Sequence, residues 1–248
     1  MNRSHHRNRG IGQNSSTLPL HAWDVSPAEA RRIQADLAAR VDLNDAISID
    51  AIEIVAGVDN TYVTRDGKTT AGAVVVALTF PAMEIVETAV AWQPIAFPYV
   101  PGLLSFREAP AVLAACADLS VEPDIFLFDG QGYAHPRRLG LASHLGLFLE
   151  RPTIGCAKSR LVGEYEEPER VFGAYTPLVD RGEVVGAAVR TRPRHKPLFV
   201  SPGHMISVET AVDVTLACCR DGAFLPEPTR LAHEIVTRER RAWIESDG

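Results

Sequence analysis

An α/β fold built on one mixed sheet is what this 248-residue chain predicts. Three observations carry it. Three strand-like runs in the first hundred residues are joined by short polar or Gly/Pro connections, which favours an antiparallel meander. Strand-like and helix-like segments then alternate, which points to parallel strands linked by crossover helices. The composition is that of a globular protein, with 46% hydrophobic and 23% charged residues, and the length allows a sizeable core in one large or two small domains.

Taken in order, residues 1–17 are basic and polar (Arg3, His5, His6, Arg7, Arg9) and lack an apolar stretch. They read as a flexible tail rather than a secretory signal, leaving residues 18–248 as a single domain. Ser26-Pro27-Ala28-Glu29 has the form of a capping box with proline at the first helical position, and opens a helix to about Arg40. Strands follow at Ile52 to Val63, Thr70 to Phe80 and Glu84 to Trp92, separated by Arg65-Asp66-Gly67-Lys68 and Pro81-Ala82. Pro98 to Gly102 is a stiff loop. A second capping box, Ser105-Phe106-Arg107-Glu108, starts a helix ending near Leu119. Then come a strand (Ile125 to Asp129), a helix (Pro136 to Glu150) and a strand (Thr153 to Ala157). Two more strands, Val184 to Thr191 and Leu198 to Ser201, precede a helix from Val208 to Cys219 and an amphipathic helix from near Pro228. This order resembles the ribonuclease H-like fold, which implies a mixed five-stranded central sheet flanked by helices.

The formal net charge of -6 excludes a basic nucleic-acid coat, so any nucleic-acid contact must come from a local patch. Cys116, Cys156, Cys218 and Cys219 form no C-x-x-C pair and read as thiols of a reduced cytoplasm. No apolar run reaches the length of a membrane span. Neither G-x-G-x-x-G nor a P-loop fingerprint occurs, so a nucleotide cofactor lacks support.

The most informative stretch is Asp129-Gly130-Gln131-Gly132-Tyr133-Ala134-His135-Pro136-Arg137-Arg138. It delivers a carboxylate from an apolar strand into a glycine-opened, basic loop, suited to holding a metal ion against a phosphate backbone. Asp59 ends the apolar run Ile54 to Val58, and its plainer role is a turn-forming Asp. Glu108 taken alone fits its capping box better than a catalytic role, and Asp129 before Gly is a common turn signal. Together they read differently, because the strands carrying Asp59 and Asp129 are expected neighbours and the Glu108 helix starts beside them. Three such acids would raise one another's pKa unless a cation sits among them. Hard oxygen ligands imply Mg²⁺, with Mn²⁺ able to substitute; the ion would activate water and stabilise the leaving 3′ oxygen of a phosphodiester.

Arg137, Arg138, Lys158 and Arg160 lie near strand ends, and Arg190, Arg192, Arg194, His195 and Lys196 form a second basic cluster. Either is a solvated loop or a groove whose phosphate contacts release counterions. Tyr99, set between Pro98 and Pro101, is a rim residue or a ring that fills the gap left by an extruded base. His204, after a strand and a Gly turn, suits a metal or water contact.

These residues resemble the endonuclease V family. The resemblance runs through Gly57-Val58-Asp59, the stretch from Pro98 to Glu108, Asp129-Gly130 onward to His144, Ala157-Lys158-Ser159-Arg160-Leu161, Ser201-Pro202-Gly203-His204 and Leu225-Pro226-Glu227-Pro228-Thr229-Arg230. It implies a DNA-repair endonuclease that recognises deoxyinosine (deaminated adenine) and hydrolyses the second phosphodiester 3′ to it, leaving 3′-hydroxyl and 5′-phosphate ends. It further implies Asp59, Glu108 and Asp129 as metal ligands, His204 at the second metal or the attacking water, and Lys158 at the scissile phosphate. Tyr99 would be the wedge. Gly102, Leu104, Arg107, Gly130, Gly132, His135, Leu141 and Leu161 would serve the DNA and the flipped base, glycines allowing close backbone approach. Gln131 departs from the His or Asn expected there, and Met205 has no reading. Two alternatives stay open: an endoribonuclease acting on inosine-containing RNA, and a catalytically silent nucleic-acid-binding module. The sequence names no protein partner, and monomer is the default.

Overall fold

The computed structural model describes residues 20–220 and 222–246; the tail expected at residues 1–17 lies outside them. In chain order the elements are α1 (Pro27–Ala38), β1 (Ile54–Arg65), β2 (Lys68–Thr79), β3 (Ile85–Pro94), α2 (Ser105–Ala117), β4 (Ile125–Phe128) and α3 (Leu141–Leu149). They continue with β5 (Thr153–Ala157), β6 (Tyr175–Asp180), β7 (Glu183–Val189), β8 (Leu198–His204), α4 (Val208–Ala217) and α5 (Glu227–Ser246).

The meander forms as the turn chemistry requires. Asp66 and Gly67 both take positive φ (50° and 74°), the backbone of a two-residue hairpin turn whose twist matches the strands it joins. β4 is a four-residue apolar run buried along its whole length, the pattern of a strand covered on both faces. It pairs in parallel with β1, Val58 opposite Phe128, and β5 pairs in parallel with β4. The five strands β3-β2-β1-β4-β5 are the expected central set, and β8, β7 and β6 extend the sheet to eight. β6 has no counterpart in the sequence reading. It pairs with β7 through Arg181-Gly182, a second turn with both φ values positive (55° and 78°).

Alternate strand residues feed two cores. Val55, Ile125, Leu127 and Ile154 pack with Ala211, Val212, Ala232 and Val236 of α4 and α5. Ala56, Val58, Phe126 and Phe128 pack with Ala109, Val112, Leu141 and Leu145 of α2 and α3. The sheet is thus the middle of three layers, with β4 ending at Phe128 beside the middle of β1.

Two helix starts differ from expectation. The Ser105 capping box does not form: α2 is entered from Leu104 with no side-chain cap, and Ser105 Oγ instead meets His144 Nδ1 at 2.8 Å. Glu108 is thereby released from the helix end. α3 begins at Leu141, not Pro136, because Arg138 takes φ 55° and the Gly140 N–H donates to Gly132 O at 2.9 Å, so residues 136–140 stay a loop. At α1 Ser26 Oγ does accept from the Glu29 N–H at 3.2 Å, but the Glu29 carboxylate pairs with Arg32 rather than reaching back.

Candidate active site

Asp59, within β1, directly follows Val58, and the Asp129 N–H donates to Val58 O at 3.1 Å, so the carboxylate just past the end of β4 lies beside the one on β1. α5 crosses the same region. It does so at a contact only glycine allows, since a Cβ on Gly57 would lie 2.0 Å from Pro228 O. That approach sets His233, one turn further on, with Nδ1 2.8 Å from Asp59 Oδ2. One ligand atom each from Asp59, Asp129 and His233 fall within 4.8 Å of one another.

The electrostatics are those of crowded, buried carboxylates. Burial, then the neighbouring Asp129, push the Asp59 carboxyl above its usual range. Glu108 is buried, accepts from the Tyr62 hydroxyl, and is raised to about 7, chiefly by burial and further by Asp59 and Asp129. It stands beside the three-residue group without joining it. The Lys158 ammonium pairs with Asp129 Oδ2. Two crowded carboxylates that already draw a cation, with an imidazole alongside, fit a divalent metal ion.

His204 is not in this group. β8 runs antiparallel to β5 and brings His204 opposite Thr153, whereas Phe199 lies opposite Ala157. His204 therefore sits at the other end of β5, about 13 Å away along the strand at roughly 3.3 Å per residue, where its Nδ1 accepts from the Asp42 N–H at 3.1 Å. The histidine at the carboxylates is His233, which the sequence reading missed. Ala232 and Val236 are buried positions of α5, and His233 flanks that stripe.

Beside the carboxylates lies a cavity of about 480 Å³ whose lining includes Gly102, Leu104, Gly130, Leu141 and Leu161, together with Asp129 and Lys158. Cavity and carboxylate centre therefore share two residues. Tyr99 stands at the cavity and is 72% exposed, a free ring on a stiff loop. Gly102 takes φ 77°, and its carbonyl accepts from Arg137 (2.7 Å), Gln34 (3.0 Å) and His135 (3.2 Å). The Arg137 N–H donates to His135 Nδ1 at 3.2 Å, so Nε2 carries the proton given to Gly102. Burial, aided by Arg137, pushes the His135 pKa down to about 4. His135 lines the cavity but keeps no free ring nitrogen; it braces the Gly102 loop, as does Gln34, which the sequence did not flag. Gln131 also lines the cavity, its Nε2 donating to Ser159 O at 2.8 Å.

Two residues expected at the DNA are placed elsewhere. Arg107 donates to Phe97 O at 3.0 Å and lies 5.0 Å from the Tyr62 ring centroid, so it supports the Tyr62–Glu108 pair and does not line the cavity. Gly132 lies behind the cavity wall, its N–H donating to Ser201 Oγ at 2.9 Å. The nearby basic residues are also engaged by the protein: Arg137 by Gln34 and Gly102, Arg138 by Asp180 and Glu183, Arg160 by Gly163 O.

Comparison with known proteins finds relatives over most of the chain. The Endonuclease V family profile matches residues 35–234. Endonuclease V of Gloeobacter violaceus is 49% identical over 228 residues, covering 92% of each chain. The crystal structure of Endonuclease V from Bacillus subtilis superposes with a TM-score of 0.88 at 35% identity, covering 92% of this chain and 98% of that one. Ciona intestinalis Endonuclease V, crystallised with a 24mer DNA containing an inosine followed by a ribo-adenosine, superposes at 0.74 with 28% identity, covering 87% and 98%.

Proposed function

The chain belongs to the endonuclease V family and is a nuclease, and we propose that it recognises deoxyinosine in DNA and hydrolyses the second phosphodiester 3′ to that base. The observation that carries the reading is the shared boundary between cavity and carboxylates. A base held against Gly102, Leu104, Gly130, Leu141 and Leu161 leaves its own strand running past Asp129 and Lys158. An extruded base has to be read by close backbone approach and leaves a gap in the stack; exposed Tyr99 is suited to fill it.

In this reading Asp59, Asp129 and Glu108 would hold Mg²⁺, or Mn²⁺ in its place. The ion when bound supplies Lewis-acid polarisation of the phosphate and stabilises charge on the departing oxygen. Water attacks phosphorus, the bond to O3′ breaks, and the products are a 3′-hydroxyl and a 5′-phosphate. His233, with Nδ1 on Asp59, is placed to take the proton lost by water through Nε2. Lys158 exchanges Asp129 for a phosphate oxygen. Residues 18–248 act as one catalytic domain and as a monomer. The four free cysteines accord with a reducing cytoplasm, and no helix among the described residues is long and apolar enough to cross a membrane.

An end-labelled duplex with one deoxyinosine, incubated with Mg²⁺ or with EDTA beside a matched inosine RNA, tests this. A single metal-dependent nick in the DNA, lost by at least about a hundredfold in Asp129→Asn, is the expected result. Cutting of the RNA alone would move the substrate to inosine-containing RNA, and equal cutting of undamaged DNA would remove the base pocket.

A further inference from the structure

We propose that the loop joining β7 to β8, residues 190–197, is a second phosphate-binding surface that grips the nucleic-acid backbone away from the scissile bond. The proposal rests on the nuclease reading above. Its first support is position. β7 runs parallel to β5, Val189 pairs with Leu198, and Phe199 pairs with Ala157. The loop therefore leaves the sheet at the edge that carries Asp129 and Lys158. β8 and β7 are two and three strands from β4, about 10–14 Å at roughly 4.8 Å per strand. That distance is about three to four nucleotide steps at roughly 3.4 Å per strand charge.

Charge is the second support. Arg192, Arg194 and Lys196 are exposed, and none of their side chains has a hydrogen bond or ion pair among the described residues. In a chain of net charge -6, three such cations at alternate positions of one loop are a local field that an anionic polymer would sense. Arg137, Arg138 and Arg160, nearer the cavity, are bonded within the protein. The loop offers what they do not.

Third, the loop is held in shape without being neutralised. Arg190 is 2% exposed and bonds inward: to Glu167 at 2.6 Å, to Pro168 O at 2.8 Å, to Glu169 O at 3.2 Å, and to His195 O across the loop. Thr191 Oγ1 donates to Phe224 O at 2.7 Å, and the His195 ring centroid lies 4.3 Å from that of Phe224. Pro193 and Pro197 restrict φ further. Cations on a preorganised loop lose little freedom on binding, which favours a fixed polymer backbone over a transient counterion. Phosphates of the flanking duplex are the matching partner, and binding there carries no base preference.

The test compares the full-length protein with its Arg192→Ala/Arg194→Ala/Lys196→Ala variant by fluorescence anisotropy on a long deoxyinosine duplex over a salt series, with nicking measured in parallel. Each phosphate that is no longer neutralised flattens the slope of log K against log salt by about 0.9, so a decrease of about 2 to 3 is expected. Binding at low salt weakens at least tenfold, while kcat at saturating substrate and unfolding by urea stay unchanged. An Arg192→Lys/Arg194→Lys variant keeps most of the slope. An unchanged slope and affinity in the triple variant, with the wild type nicking normally, would sink the loop proposal alone. A wild type that neither binds nor nicks the duplex would sink it together with the proposed function. Tighter binding of poly-glutamate than of duplex at equal salt would reassign the loop to an acidic protein partner and also overturn it.

Discussion

Asp59 and Asp129 were legible in the sequence because each follows an apolar strand run and the two runs were expected as neighbours, which outweighed the turn role each has alone. The histidine was not. His204 looked placed because it follows a strand and a Gly turn, yet strand direction, which no local pattern encodes, carries it to the far end of β5. His233 reaches Asp59 only through helix packing. The two histidines separate cleanly by mutation: His233→Ala should lower kcat by about a hundredfold or more, in the range of a lost proton-transfer group, and His204→Ala should leave it within about threefold. Steady-state kinetics on a deoxyinosine duplex checks both. Equal losses would mean that the edge-to-edge separation is irrelevant to turnover.

A second prediction at this scale concerns pH. Burial keeps His135 and His144 neutral in the folded protein, His135 with a pKa of about 4 and His144 well below its usual value. The unfolded chain takes up protons near pH 6.5 and the folded protein does not, so it is the unfolded state that binds more protons as pH falls. Stability is therefore full above about 6.5 and declines below it, continuing to about pH 4 for His135, with a loss on the order of 3 kcal/mol from that residue alone. Urea unfolding midpoints between pH 7 and pH 4 should fall accordingly, and His135→Gln should flatten that fall while starting from a lower value. A wild-type midpoint independent of pH over this range contradicts the neutral assignment.

Among the elements, the meander and the two parallel strands were legible because turn residues and apolar runs are local signals. β6 was not, since Pro177 interrupts its pattern and Arg181-Gly182 is an unusual pair for a turn with two positive φ values. The Ser105 motif misled for an instructive reason: a capping box competes with tertiary bonds, and here Ser105 is claimed by His144 and Glu108 by Tyr62. Helix α5 depends on Gly57, over which the Pro228 carbonyl lies too close for any Cβ. Gly57→Ala should destabilise the fold by about 1–3 kcal/mol, as overpacking does. It should also reduce kcat more than it raises KM, because His233 moves with the helix while the cavity lies on the opposite face. Denaturant titration and kinetics on one preparation would reveal a purely structural effect as lost stability with unchanged kcat.

At the scale of the molecule, chemistry gathers at one edge of an eight-stranded sheet because parallel β4 and β5 end there beside Asp59 of β1, and the two helical layers bring the base cavity from one face and His233 from the other. This arrangement was legible only in part. Strand order follows from the alternation of elements, but which basic residues remain free depends on which find carboxylates and carbonyls, and that is decided by packing. The central claim is that cavity and carboxylates act as one ruler. Its most direct test is to map the nick at nucleotide resolution in a series of duplexes in which the deoxyinosine is moved one position at a time. The nick should move with the base, always to the second phosphodiester on its 3′ side. A nick that stays in place, or scatters over neighbouring bonds as the base moves, would contradict it.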